Sequence, residues 1–462
     1  MEPKPLYEII LELFQARKPA ALKAELSEHE PADIAAALLD LWDDGEIRED
    51  TLPIIFRTMP KALAAEVFAE MDTDLNEALI RSFSDKELKA VMSELFIDDA
   101  VDIIEEMPAN VVKRMLQSVD SDTRAIINKI LDYPDDSAGS IMTTEYVALR
   151  PTMTVSDAFA RIRKTGVDKE TIYTCYVIDR DRHLIGLVTA KELLLADSEA
   201  IVGDIMEDNV ISAHTLDDRE EVANMLSHYD FLALPIVDKE DRLVGIVTVD
   251  DAIDVLQEEV TEDIELMSAI TPSDRSYTRT GVWEIFLNRI PWLLILMVSA
   301  TFTGIIISSY ETALAAQVAL TAFIPMLMST AGNSGSQASV TVLRSISLGE
   351  LEFSDLFKVI FKEFRVSLLC AVALGVGSFI KIWLVDYLLM GNKDITLPVI
   401  AVICLTLAVT VILSKLIGCV LPMLAKKIGL DPAVMASPFI TTIVDTLTLF
   451  IYFQFATAIL TI

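Results

Sequence analysis

Five long apolar segments in the C-terminal part of the chain constrain its fold more than any other feature. They cover residues 285–308, 313–343, 359–389, 395–424 and 433–462. A helix that crosses a bilayer needs about 20 mostly apolar residues, and each segment is long enough. Buried helices of soluble proteins are usually shorter and carry a polar stripe. The sequence therefore predicts a membrane domain of five helices over residues 281–462.

The charged residues divide the chain into two parts. The whole sequence has 70 acidic and 37 basic residues and a formal net charge of −33. Residues 281–462 contain ten of each kind, so the entire negative charge belongs to residues 1–280. Nucleic-acid-binding proteins present basic patches, whereas an acidic surface attracts cations. We therefore expect no nucleic-acid partner.

Basic residues lie next to alternate ends of the apolar segments. They cluster before or at the start of the first segment, between the second and third, and between the fourth and fifth: Arg275, Arg279, Arg289, Arg344, Lys358, Lys362, Arg365, Lys426 and Lys427. The side rich in lysine and arginine is cytoplasmic. The N-terminus also lacks the layout of a signal peptide. We therefore predict an integral, multi-pass membrane protein with a cytosolic N-terminal half and its C-terminus at the outer face.

One acidic residue, Asp445, stands within the last apolar segment, in the sequence PFITTIVDTLTL. No basic residue occupies that segment. Acidic residues at membrane depth are costly and commonly mark ion pathways, and a carboxylate suits a hard cation such as Mg²⁺. The alternatives are an acid satisfied by a neighbouring helix and an acid that stays protonated. We predict that Asp445 meets a cation in transit.

The second apolar segment contains the sequence IPMLMSTAGNSGSQASVTVL, which mixes helix-loosening and polar residues. Pro325 removes a backbone donor, and Gly332 and Gly335 weaken the helix. Two interpretations stay open: a broken helix that lines a wet cavity, and close packing through small residues. Lys381 and Lys415 lie towards the ends of other apolar runs, where we expect them to reach the interface. The pore-lining candidates are Asn333, Ser334, Ser336, Gln337 and, in the last segment, Thr441.

Two similar stretches follow each other in the middle of the chain. The tripeptides VID and IVD, and the tetrapeptides GLVT and GIVT, recur 59 residues apart. Each stretch predicts the order strand, helix, strand, turn, strand, helix, and a tandem repeat of this size usually pairs into one body. The two stretches resemble a pair of CBS domains, which are α/β regulatory modules, at residues 137–199 and 200–254. The resemblance allows ATP or another adenine nucleotide in the cleft between the units.

Residues 1–132 contain short amphipathic helices that predict a helical superhelix. The sequences MPKALAAEVFAEMDTD and MPANVVKRMLQSVDSD begin 48 residues apart in this region. Asp98, Asp99 and Asp102 cluster in FIDDAVDIIEEMP, where we expect most of the carboxylates to form a solvated acidic face. The chain has neither H-E-x-x-H nor a P-loop. We therefore expect no enzymatic activity.

A stretch without any lysine, arginine or histidine, residues 243–274, leads into the first apolar segment. The sequence predicts an acidic connecting helix over residues 255–280. Acidic residues four apart, such as Asp254 and Glu258, destabilise an isolated helix by roughly 0.2–0.5 kcal/mol per pair. We expect basic partners or bound divalent cations to neutralise them; a merely solvated helix is the alternative.

Three motifs together resemble the MgtE family of Mg²⁺ channels and transporters. They are GNSGSQAS in the second apolar segment, PFITTIVDTLTL in the last, and IVTVDDAIDVLQEEVTEDI before the first. The resemblance implies a homodimer in the lipid bilayer, with the ion path on the axis between subunits and Asp445 as the pore aspartate. It also implies cytosolic Mg²⁺ ligands at Asp98, Asp218, Glu220, Ser227, Asp230, Asp251, Asp254, Glu259, Glu262 and Asp263.

The predicted fold is therefore multidomain: an α-helical superhelical N-domain, tandem α/β CBS domains, an acidic connecting helix and a five-span α-helical membrane domain. The expected function is Mg²⁺ import through a selective channel or transporter. Cytosolic Mg²⁺ would bridge the acidic domains and close the pore. Two alternatives stay open: a carrier of divalent cations coupled to H⁺ or Na⁺, and a CBS-regulated membrane sensor that moves no ion.

Overall fold

The computed structural model describes residues 4–273, 277, 280–391, 395–435 and 437–460. It divides into two compact units, one ending at Leu256 and the other running from Gln257 to Ile462. Arg275, Arg279 and Ile462, on which part of the topology prediction depends, lie outside the described residues.

Ten short helices build the N-terminal part of the first unit, as the amphipathic pattern predicts. They are α1 Leu6–Gln15, α2 Pro19–Leu26, α3 Pro31–Asp43, α4 Leu52–Phe56, α5 Lys61–Ala69, α6 Thr73–Ser82, α7 Asp85–Met92, α8 Ile97–Glu106, α9 Ala109–Ser118 and α10 Ser121–Ile130. Local chemistry fixes several helix starts. At α7, for example, Ser84 and Glu87 form a reciprocal capping box. Each helix buries one apolar stripe, with residues such as Leu38 and Leu79 in a continuous core.

Two three-stranded sheets follow, each with the predicted element order. The first repeat contains β1 Val147–Leu149, α11 Val155–Thr165, β2 Thr174–Ile178, β3 Leu184–Thr189 and α12 Ala190–Leu195. The second contains α13 Val202–Ile205, β4 Ala213–His214, α14 Arg219–Tyr229, β5 Ala233–Val237, β6 Leu243–Thr248 and α15 Val249–Met267. In each sheet the first two strands are parallel and the last two antiparallel. The hydroxyl of Tyr176 donates to the Ala233 carbonyl at 3.4 Å, which ties the two repeats together.

The acidic helix differs in its bounds from the segment 255–280 expected from the sequence. It begins at Val249, directly after β6, because it is also the final helix of the second repeat. It ends at Met267, and Ala269 then adopts a left-handed conformation with φ 56°. The Ile270 amide donates back to the Glu265 carbonyl at 2.9 Å, which closes the helix end.

The second unit contains the membrane region. Its helices are α16 Val282–Ser309, α17 Glu311–Ala316, α18 Ile324–Ser347, α19 Leu356–Lys381, α20 Leu397–Lys427 and α21 Ser437–Leu460. Four stretches of the described chain are long and apolar enough to span a membrane: Val282–Ser309, Phe353–Leu389, Leu397–Lys427 and Ala433–Leu460. The helix α18 has 24 residues, about 36 Å at 1.5 Å per residue, but its composition is more polar.

The second predicted span is therefore wrong in its boundaries. Residues 313–343 do not form one helix, since α17 and a 3₁₀ segment, Val318–Phe323, precede α18. Pro325 lies in the first turn of α18, where no backbone donor is needed. From there α18 is continuous through Gly332 and Gly335, so neither proline nor glycine breaks it.

Small residues bring α18 and α20 into close contact. A Cβ atom added to Gly418 would lie 3.0 Å from the carbonyl carbon of Gly335, and one added to Gly335 would lie 2.6 Å from the Ser414 Oγ atom. The Ser414 hydroxyl donates to the Ala331 carbonyl across this interface. Of the two interpretations of this segment, close packing through small residues is therefore the one that fits Gly335, as in other tightly packed membrane helices.

The two lysines of the apolar runs have different surroundings. Lys381 forms an ion pair with Asp386 at 2.8 Å. Lys415 is only 6% exposed, so the expectation that it reaches the interface is wrong. It lies in the interior of α20, which packs against both α18 and α19. A side chain enclosed in this way has no open route to the membrane surface.

Replacing Gly418 with alanine is expected to lower the thermal unfolding midpoint of the detergent-solubilised protein. Overpacking costs about 1–3 kcal/mol, whereas the better helix propensity of alanine returns about 1 kcal/mol. Gly375→Ala in α19 is the matched control, because nothing lies within 4 Å of its added carbon. Equal midpoint shifts in the two variants would contradict close packing at Gly418.

Candidate ion pathway and acidic clusters

The carboxylate of Asp445 lies on α21 at its contact with α18. Its Oδ1 atom is buried and has no hydrogen-bond partner among the described residues. Gly332 faces it: a Cβ atom added to Gly332 would lie 3.8 Å from this Oδ1 atom and 3.2 Å from the methyl group of Thr441. The residue as a whole is half-buried. Asp445 therefore combines one buried, unsatisfied oxygen with access from outside the single chain.

The pore-lining candidates on α18 divide between two faces. Asn333 and Gln337 are exposed and Ser336 is half-buried, whereas Ser334 is buried between helices. The Asn333 amide donates to the Ser329 hydroxyl at 3.5 Å, one turn earlier. Hydrocarbon offers no hydrogen bonds, so exposed amides at membrane depth require water or another protein surface. The face of Asn333 and Gln337 is thus suited to a polar path, and Ser334 belongs to the packing.

In the first unit, Asp98 is the centre of an acidic cluster. It is only 6% exposed, although it lies in the first turn of α8. Burial, followed by the charges of Asp251 and Asp99, raises its pKa well above the ordinary value. Burial and the charge of Asp251 also raise the pKa of Asp99 to about 7. The expected solvated face is therefore wrong for Asp98. Asp102 is exposed as a residue, yet burial of its carboxyl group and the charge of Asp251 raise its pKa to about 7.

Two further acids join this cluster without any signal in the sequence. The Glu145 carboxylate accepts a hydrogen bond from the Ile97 amide at 2.9 Å, at the start of α8. One carboxylate oxygen of Glu170 is buried without a hydrogen-bond partner among the described residues. Burial and the charges of neighbouring acids, first Asp99, raise its pKa to about 8. Both lie in loops far along the chain from Asp98, so only the tertiary fold brings them there.

The start of α15 supplies the other side of the cluster. The Asp251 carboxylate accepts hydrogen bonds from the hydroxyl and the amide of Thr248. Burial raises the pKa of Asp251 to about 6, and the charge of Asp250 adds to the rise. Asp254 is exposed one turn later. The structure therefore brings Asp98 and Asp251 together from distant parts of the sequence, while Asp254 points towards solvent.

The four candidates on α14 lie at its two ends. Asp218 caps the start of the helix and accepts from the Glu220 amide at 2.8 Å. Ser227 and Asp230 are exposed at the other end, where Asp230 has φ 55°. The helix has 11 residues, or about 16 Å at 1.5 Å per residue. One ion cannot contact both pairs, so they belong to two separate positions.

In the second unit, Asp263 connects α15 to α18. The Ser347 hydroxyl donates to its carboxylate at 3.1 Å. Burial raises the pKa of Asp263, and the Ser347 hydrogen bond opposes that rise. Glu259 and Glu262 lie on the same helix, within the preceding turn. The end of α15 is therefore held against the end of the helix that carries Gly332 and Asn333.

Models of three protein families match most of the chain. The MgtE divalent cation transporter matches residues 324–455, the MgtE intracellular N domain matches 29–136, and the CBS domain matches 138–199 and 202–258. The magnesium transporter MgtE of Thermus thermophilus is 35% identical over 453 residues, which cover 97% of each chain. The chain belongs to the MgtE family. The predicted family, tandem CBS domains and intracellular N-terminal domain are thus confirmed.

Solved structures of MgtE-type soluble regions have related folds. The soluble part of a magnesium transporter is 28% identical and covers 55% of this chain and 98% of that chain, with a TM-score of 0.50. The cytosolic domain of the Mg²⁺ channel MgtE in complex with ATP is 37% identical and covers 53% of this chain and 97% of that chain, with a TM-score of 0.49. The family models and the first of these two structures confirm the predicted multidomain fold, with a helical N-terminal domain and a CBS pair.

The raised pKa values predict that the first unit loses stability as the pH rises. When folded, it retains protons on Asp99 and Glu170 up to about pH 7 and 8, whereas unfolded carboxyls release them near pH 4. The folded state binds more protons in this window. The free energy of unfolding therefore falls from about pH 4 to about pH 8 and then levels off.

Thermal unfolding of residues 1–256 in EDTA, from about pH 5 to pH 9, measures this fall. Glu170→Gln is expected to flatten the profile, because it removes one of the titrating groups. Glu28→Gln is the control. Glu28 is exposed just after the end of α2, so this substitution is expected to leave the profile unchanged. A profile that Glu170→Gln does not alter would contradict the assigned burial.

Proposed function

We propose that this MgtE family member imports Mg²⁺ across the cell membrane through a pathway at Asp445, and that transport rather than catalysis is its activity. The buried, unpartnered oxygen of Asp445 beside Gly332 carries the proposal. Mg²⁺ keeps several of its waters because it dehydrates reluctantly. A carboxylate can hold such a hydrated ion through the bound waters. The exposed amides of Asn333 and Gln337 would add neutral oxygens along the same path.

A homodimer is part of this proposal. The polar face of α18 is exposed in the single chain, and lipid would offer no further hydrogen bonds to the amides of Asn333 and Gln337. A second copy would cover that face and bring two Asp445 side chains to one axis. The alternation of basic loops supports an outer position for the C-terminus.

Control by cytosolic Mg²⁺ follows from the crowding of acids around Asp98, where the charges of Asp251 and Asp99 add to the effect of burial. Two unit charges about 4 Å apart repel by roughly 4 kcal/mol at an effective dielectric constant of 20. Cations between Asp98 and Asp251, and along α15, would remove such repulsion and favour the compact, closed arrangement. At low Mg²⁺ the same acids would repel one another and release α15. Opening would then follow from electrostatics rather than from a separate ligand.

The first CBS repeat also has groups that suit ATP. The ring of Tyr173 is 65% exposed, and its carbonyl accepts from the Ala190 amide at 2.8 Å. This contact brings the backbone of Tyr173 next to that of Ala190, and the exposed Lys191 follows in the chain. An exposed aromatic ring can stack on adenine, and a lysine can bind phosphate. The bound nucleotide would supply further negative charge to an already acidic region.

Substitution of Asp445 tests the pathway. Both Asp445→Asn and Asp445→Ala are expected to reduce Mg²⁺ uptake into proteoliposomes at least tenfold, because the hydrated ion loses its counter-charge. Asp386→Asn is the matched control, since Asp386 is an acid of the membrane region that is already paired with Lys381. Uptake at the wild-type level in both Asp445 variants would refute the pathway.

Neutralising the acids of α15 tests the control. The combined variant Asp254→Asn, Glu259→Gln, Asp263→Asn is expected to conduct while needing several-fold more cytosolic Mg²⁺ for half-maximal inhibition. The control Glu28→Gln, Glu49→Gln, Asp50→Asn changes the net charge equally at exposed positions elsewhere. The same shift in both triple variants would attribute the effect to net charge alone and contradict the role of α15.

A further inference from the structure

An apolar cavity of about 340 Å³ lies between α16 and α21. Trp292 and Ser299 line it from α16, and Thr442 and Thr446 line it from α21. Ala269, just after the end of α15, also lines it. Both helices are long and apolar enough to span a membrane. The cavity therefore lies where the surrounding solvent is lipid rather than water.

The hydroxyl groups that line the cavity are all satisfied within their own helices. The Ser299 hydroxyl donates to the Ile295 carbonyl at 3.0 Å. Thr442 donates to the Pro438 carbonyl at 3.0 Å, and Thr446 to the Thr442 carbonyl at 3.0 Å. Each of these protons is committed to a backbone oxygen. The cavity thus suits an apolar occupant and offers little to a polar one.

A cationic side chain stands one turn from the cavity. Arg289 is exposed on α16, three residues before Trp292, so the two share a helix face. The helix α16 follows the intracellular region of the chain, which puts Arg289 at its cytoplasmic end. A guanidinium binds phosphate through two parallel hydrogen bonds, and the cytoplasmic leaflet is the one that carries anionic lipid. The positive charge of Arg289 therefore suits a lipid phosphate, and the apolar cavity beside it suits an acyl chain of the same lipid.

We propose that the cavity between α16 and α21 and the adjacent Arg289 form one groove that binds an anionic phospholipid. An acyl chain would lie in the cavity and the phosphate at Arg289. Asp445 does not line the cavity, and the proposal depends on neither Asp445 nor a regulatory cation. The occupant of the cavity touches Ala269 at the end of the acidic helix and Thr442 and Thr446 on the helix that carries Asp445. Binding would stabilise the packing of α21 against α16 and against Ala269, in the segment that connects α15 to α16.

The junction is already fixed on the side of α16. The Thr271 amide donates to the Asn288 carbonyl at 3.0 Å, next to Arg289. The Ser273 amide donates to the Glu265 carboxylate at 3.1 Å. These bonds hold the connecting segment beside the proposed headgroup. A lipid phosphate at Arg289 would therefore lie directly against the segment that transmits movement of α15.

Tryptophan quenching tests the site, because Trp292 lines the cavity. The chain has four tryptophans, so Trp42→Phe, Trp283→Phe and Trp383→Phe leave Trp292 as the sole fluorophore. The full-length protein is reconstituted in phosphatidylcholine with a small, equal fraction of either brominated phosphatidylglycerol or brominated phosphatidylcholine. We expect at least twofold stronger quenching by the brominated phosphatidylglycerol. A variant with Trp383 alone, which is 51% exposed, is the control and shows no such preference.

Two variants separate the headgroup from the acyl chain. Arg289→Gln is expected to abolish the preference for phosphatidylglycerol and keep the residual quenching. Ser299→Phe fills the cavity and is expected to reduce quenching by both lipids. Equal quenching of Trp292 by the two lipids, in the single-tryptophan protein with Arg289 and Ser299 unchanged, would overturn the proposal. Absence of quenching by either lipid would also overturn it, and would indicate that a second copy of the chain covers the groove.

Discussion

The first unit depends on carboxylates that are removed from water and lie close to other acids. A buried carboxylate is stable only when a proton, a cation or several hydrogen bonds compensate its charge. At Asp98 the nearest charges belong to other acids, chiefly Asp251 and Asp99. Folding of the first unit therefore creates the demand for a counter-charge. Protons can meet this demand, and under the proposed function cytosolic Mg²⁺ would meet it instead.

The membrane region also contains a buried carboxylate oxygen, at Asp445, and two glycines determine its surroundings. Glycine at position 335 lets α20 approach α18, while glycine at position 332 leaves space beside the Asp445 carboxylate. The GNSGS motif thus serves packing on one face and a polar surface on the other. Close packing makes the helices rigid. A site for a hydrated ion requires rigid walls, because the width of the site must stay fixed.

The sequence was sufficient wherever one local pattern dominated. Apolar length predicted the membrane helices apart from the bounds of the second, and the repeated strands predicted both sheets. It failed where tertiary structure changed the environment of a residue. Asp98 looks solvated in its own stretch, yet α15 and the CBS loops bury it. Lys415 looks able to reach the interface, yet two neighbouring helices enclose it. Glu145 and Glu170 carry no local signal, since their role depends on chain segments far away.

The hydrogen bond between Glu145 and the start of α8 has a mechanical consequence. It joins the superhelix to the first CBS repeat through a backbone amide, and this link needs no metal ion. The charge also lies at the positive end of the α8 dipole, which strengthens the link. When the acids at Asp98 and Asp251 repel, the superhelix would swing about this point instead of separating freely. The N-terminal domain would then act as a hinged lever whose pivot is Glu145.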